Sequence, residues 1–119
     1  MKSIARIAVF GFIGVFCAAG PGAVAGSHTW EVWEVFSNAS GTVQFVTIKE
    51  THGGIGETFL GGHTMIAHPS GLTTSMHNVA GNTAFTFFLL GTSAFAALPG
   101  APTPDVTLGP GLKLFQNTS

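Results

Sequence analysis

Apolar and polar residues alternate over short distances along most of this chain, and the elements this pattern predicts are strands. From Thr29 to Phe36 the run TWEVWEVF is aromatic and β-branched, which suits a pleated, half-buried surface. Trp30, Val32 and Phe36 share one parity, with Glu34 among them, and Trp33 and Val35 share the other. Such a strand is either covered on both faces over part of its length or carries a bulge near Glu34. Thr42 to Lys49 has the same character, with Val43 and Phe45 on one face and Val46 and Ile48 on the other. Ser37-Asn38-Ala39-Ser40-Gly41 lies between the two runs. An Asn that tolerates the left-handed region and a closing Gly are what a short hairpin loop needs.

Gly53-Gly54-Ile55-Gly56 is a flexible break. Glu57 to Ile66 reads as a third strand, interrupted at Gly61-Gly62. His68-Pro69-Ser70-Gly71 has turn chemistry, Leu72 to His77 is a weak strand, and Asn78 to Thr83 is a loop. Ala84 to Leu90, AFTFFLL, reads as a central strand. Left as an edge, this uncharged, β-prone segment would be an aggregation hazard. Phe85, Phe87, Phe88 and Phe95 are expected in the core. Thr92 to Leu98 favours a short helix capped by Thr92 or Ser93. The extended APTPD segment follows, then a brief strand at Val106 to Leu108, a Gly109-Pro110-Gly111 break, LKLF and a polar tail.

The start of the chain has a different pattern. Lys2 and Arg6 precede an apolar run from Ile7 to about Ala19, and Ala23-Val24-Ala25 follows. This is the form of a secretory signal peptide spanning 1–25. The run is short for a membrane span, which needs roughly 20 residues. Phe16 before Cys17 does not suit a lipidation site. Cleavage after Ala25 leaves a single domain, 26–119, with a Pro/Gly-rich C-terminal segment and no cysteine. It carries Lys49 and Lys113 against Glu31, Glu34, Glu50, Glu57 and Asp105, a net of −3. Two lysines and no arginine argue strongly against a nucleic-acid binder, which needs cations to displace phosphate counterions. The same shortage argues against anionic lipid surfaces. The expected location is secreted or extracytoplasmic, with no stable membrane anchor after signal cleavage.

Glu34, Asn38, Gly41, the run Gln44-Phe45-Val46-Thr47-Ile48 and Leu60 to Met65 together resemble the opening of a lamin-tail-like, immunoglobulin-like domain. Ser37 to Phe45 and Phe88 to Leu98 also resemble segments shared by a group of secreted bacterial proteins of unknown function. The resemblance covers most of 29–108. Gln44 and Thr47 stand where lamin-tail strands carry two acids, so no role of those carboxylates transfers. Members of the secreted group run on with further strands past the proline-rich stretch. A chain that stops soon after Asp105 would be a truncated member with an incomplete sandwich. The resemblance implies an all-β, immunoglobulin-like antiparallel β-sandwich with one short helix near 92–98.

Candidate chemistry is sparse. His28, His52, His63, His68 and His77 with Glu57 are metal-competent residue types, but no pair has H-E-x-x-H spacing. The 53–56 glycines lack the third Gly of a dinucleotide fingerprint and the Gly-Lys-Ser/Thr of a P-loop. Glu31 and Glu34 lie on opposite faces of a regular strand, and no G-x-S-x-G elbow occurs. Asn38-Ala39-Ser40 and Asn117-Thr118-Ser119 are glycosylation sequons. The expected function is a non-catalytic structural or binding module with no cofactor, whose partner is a protein or carbohydrate. The binding residues singled out are Trp33, Glu34 and Asn38. Two alternatives are a small secreted metal-dependent hydrolase using the histidines and Glu57, and a truncated gene product without independent function.

Overall fold

A computed structural model describes residues 27–116. The signal-peptide segment and the Asn117 sequon lie outside the described residues. In chain order the elements are β1 (Trp30–Ser37), β2 (Gln44–Glu50), β3 (Thr64–Ala67), β4 (Leu72–Ser75), β5 (Phe87–Gly91), α1 (Ser93–Ala96) and β6 (Val106–Thr107). Four strands form a sheet in the order β1-β2-β5-β6, and β3 and β4 form a second, two-stranded sheet. The fold is all-β and sandwich-like, with one short helix. One pair departs from the antiparallel expectation: β6 runs parallel to β5. A parallel pair needs a crossover of a dozen or more residues. Here α1 and the proline-rich segment supply it.

The core forms on one face of the larger sheet. Val46 lies opposite Leu90 and Ile48 opposite Phe88, and all four side chains are buried with Leu60 and Leu114. Met65, Met76, Val79 and Val106 pack around them. On the opposite face α1 seats Phe95 against Phe45, with ring centroids 5.0 Å apart. Gly91 permits this approach, because a Cβ there would lie 2.7 Å from Phe95 and 2.9 Å from Pro104. Thr92 caps α1: its hydroxyl accepts from the Phe95 N–H and the Gln44 N–H, and donates to the Thr42 carbonyl at 2.8 Å.

The loop at Ser37 to Gly41 is a structural turn. The Asn38 N–H donates to the Val43 carbonyl, and the Asn38 side-chain oxygen accepts from the Val43 N–H at 3.1 Å. Gly41 is buried at φ 71°, a conformation that favours glycine. The bulge expected near Glu34 is present as a register shift between Val32 and Glu34. Its consequence differs from the simple parity reading. Trp30 and Val32 oppose Glu50 and Ile48, and beyond the bulge Val35 opposes Val46, whereas Phe36 opposes Phe45 on the other face.

Other expectations need correction. Only Thr64–Ala67 of the third run is strand, because a turn closed by the His63 N–H on the Leu60 carbonyl interrupts it and the Gly61 N–H is taken by the Asn78 side chain. Phe88 and Phe95 are buried, but Phe85 and Phe87 are exposed. Phe85 sits at positive φ with its N–H on the Glu50 carboxylate, and Phe87 faces away from the core beside Trp33. AFTFFLL is not an edge, since β5 is flanked by β2 and β6. The LKLF segment, read as a chain end, is locked in place. Gln44 is buried; its side-chain oxygen accepts from the Leu114 N–H at 2.9 Å, and its amide donates to the Phe115 carbonyl at 2.8 Å.

Candidate binding surface

The strand β1 occupies an edge of the larger sheet, and six of its eight residues are exposed. Val32, Trp33, Val35 and Phe36 are 61%, 56%, 55% and 44% exposed. Trp33 lies on the face opposite the core, where its ring meets Phe87 edge-on at 6.3 Å, and the bulge brings Glu34, expected from parity on the other face from Glu31, to the same side. The Lys49 ammonium lies 4.1 Å from the Trp33 ring centroid and 5.1 Å from that of Phe87. Glu34 opposes Thr47, and Glu31 opposes Lys49, on this same face. The opposite-parity expectation for the two tryptophans holds: Trp30 turns inward, packs on the core and donates its indole N–H to the Glu57 carbonyl at 2.9 Å.

Of the three residues singled out from sequence, Trp33 and Glu34 are adjacent on this outer face. Asn38 belongs to the hairpin turn, where its amide also donates to the Thr42 hydroxyl. Lys49 and Phe87 complete the aromatic platform and were missed. Their signal is tertiary, because Lys49 and Phe87 meet only through the pairing of β2 with β5. On the core side of β1 an apolar groove of about 270 Å³ opens between β1 and the second sheet, lined by Trp30, Val32, Ile48, Leu60, Met65 and Met76. The His63 ring stands at this groove and meets the Ser27 hydroxyl at 2.7 Å.

Glu50, Glu57 and His77 are tied into the frame. Glu50 is buried. Burial pushes its carboxyl up, but backbone N–H groups of Phe85, Gly54 and His52 outweigh this and hold it at about 2, with help from the Thr29 hydroxyl. The shortest contacts to the carboxylate are N–H donations from Gly53 at 2.8 Å and from His52 and Phe85 at 2.9 Å. No coordination capacity for a substrate follows from so occupied a group. Glu57 accepts the His28 N–H at 3.0 Å and faces the His28 ring at 3.5 Å. His52 meets the Thr51 hydroxyl. His77 joins two loops: its ring nitrogens lie 2.9 Å from the Asn78 carbonyl and 2.8 Å from the Asp105 carbonyl. Those carbonyls, Asn78 first, raise its pKa against a small opposing effect of burial, and the Asp105 charge adds to the rise. Among the described residues no three of His, Cys, Asp and Glu converge as a metal site would require, and no helix is long and apolar enough to cross a membrane.

Comparison with protein-family models, with curated proteins and with solved structures finds no match to this chain.

Proposed function

We propose that this chain is an exported, non-catalytic binding module of immunoglobulin-like, lamin-tail-like build that engages a protein or carbohydrate partner through β1. One observation carries the reading: an edge strand exposes Val32, Trp33, Val35 and Phe36 together. Large apolar side chains clustered on an unpaired edge mark an interaction site or an aggregation hazard. The rest of the domain supports a rigid platform, since Gln44, Glu50 and Thr92 are buried with their hydrogen bonds made within the domain. Export is supported by Lys2 and Arg6 ahead of the apolar run and by Ala23 and Ala25 at its end. The lamin-tail likeness is supported by the β1–β2 hairpin closing on Asn38 and Gly41.

The test compares the secreted wild-type chain with Trp33→Ala/Val35→Ser. In the producing host's extracytoplasmic fraction the wild type is expected to co-sediment with material heavier than the free chain. The variant is expected to be lost from that material with its urea midpoint unchanged. Equal sedimentation of both chains refutes a role for β1.

A further inference from the structure

Resting on the binding-module reading, we propose that β1 is a strand-addition site for an extended segment of another protein whose side chains alternate between apolar and cationic. Three features of β1 converge on this occupant. First, among the described residues β1 pairs with β2 alone, so its other edge presents backbone N–H and C=O groups to a further strand in the hydrogen-bonding direction. Successive side chains of an added strand would point to opposite faces. Second, the face toward the core meets the apolar groove beside Val32, whose floor includes Met65 and Met76. Thioether side chains adapt to varied apolar shapes. Third, the opposite face presents Glu31, Trp33 and Glu34. Among the described residues neither glutamate has an ion-pair partner. The Trp33 ring already carries the Lys49 ammonium, so a cation on the added strand would meet the carboxylates.

A second copy of this chain is the other occupant to test: antiparallel pairing of two β1 strands about their centres sets Val32 against Val35 but leaves Glu31 facing Phe36 and Glu34 facing Trp33, so it offers these carboxylates no cation.

The experiment uses the intact chain expressed in a secreting host. The probe is an acetylated, amidated peptide of alternating valine and lysine. One control has glutamate in place of lysine, and a second is N-methylated at every other residue to block strand pairing. Binding is read by tryptophan fluorescence and by amide hydrogen exchange. The Val/Lys peptide is expected to bind, to slow exchange in β1, and to weaken roughly five- to tenfold toward Glu31→Gln/Glu34→Gln. Equal binding of the N-methylated peptide, equal binding of the Val/Glu peptide, slowed exchange only outside β1, or no binding overturns the proposal. Concentration-dependent pairing of the chain through β1 overturns it as well. If Trp33→Ala/Val35→Ser abolishes retention in the extracytoplasmic fraction while no peptide binds, the strand proposal fails and the binding module stands. If retention is indifferent to that variant, the binding-module reading fails whatever the peptides do.

Discussion

β1 and β5 are nearly alike as sequence and opposite as structure. WEVWEVFS and FFLLG are both aromatic, aliphatic and suited to a sheet. Phe88 and Leu90 of β5 are fully buried, whereas every β1 residue from Glu31 to Phe36 is exposed. The difference lies in the neighbours. β5 has a strand on each side, with Leu60 and Leu114 over its core face. β1 has a strand on one side, and the second sheet leaves a groove rather than a cover beside it. Stability thus resides in β2 and β5, and the surface free to interact resides in β1. Strand propensity does not distinguish the two, because it measures fit to a pleated surface and not the identity of the covering layer.

The contrast is broken most directly by truncating the centre. Phe88→Ala is expected to cost about 3–5 kcal/mol of unfolding free energy, from lost burial and the cavity left behind, as read from urea titration. Gln44→Ala is next, at about 2–3 kcal/mol, because it strands the Leu114 and Phe115 backbone groups that Gln44 now satisfies. Exchange of the Leu114 amide should accelerate with it, and unchanged protection would mean that the C-terminal segment is held by packing alone.

Two titrations probe the frame that keeps β1 on display. Glu50 has a lower pKa folded than unfolded. Its contribution is therefore full above the ordinary carboxylate value of 4.5 and is lost as the pH falls toward about 2. Glu50→Gln should flatten this acid limb of the stability profile. His77 has the opposite sign. Its folded pKa is raised, so its contribution is full below the ordinary value of 6.5 and is lost as the pH rises through the folded pKa. Both ring nitrogens face carbonyl oxygens, and only the protonated ring donates to both. His77→Asn should remove this alkaline-side loss, as measured by thermal unfolding across pH 5 to 9. The smallest effect is expected at β1 itself. Val32→Ala and Val35→Ala should each change the unfolding free energy read from urea titration by no more than about 0.5 kcal/mol. A loss comparable to that of Phe88→Ala would show that β1 belongs to the core after all.

Much of the fold was legible because its signals are local. Asn38 and Gly41 declared the hairpin, and Thr92-Ser93 declared the start of α1, with Thr92 the cap in the structure, since turns and caps are satisfied within a few residues. The burial of Phe88 and the exposure of Phe87 were not legible. Both are phenylalanines in one apolar run, and their sides are assigned by pairing with Ile48 and Lys49 across a loop of many residues. The candidate surface divides in the same way. Trp33 and Glu34 were visible as an aromatic beside an acid on a strand, but Lys49 and Phe87 joined them only when β2 and β5 came together.

The amino-acid sequence by itself determined that the domain is built of strands, where its hairpin turns, and that a helix of one or two turns follows the AFTFFLL run. These follow from side-chain shape and backbone freedom, which act over neighbouring residues. Only the tertiary structure decided which strand became the edge, which phenylalanines went inside, that β6 lies parallel to β5, and that Gln44 binds the C-terminal segment. Those outcomes depend on contacts between distant segments, whose closure no local pattern encodes.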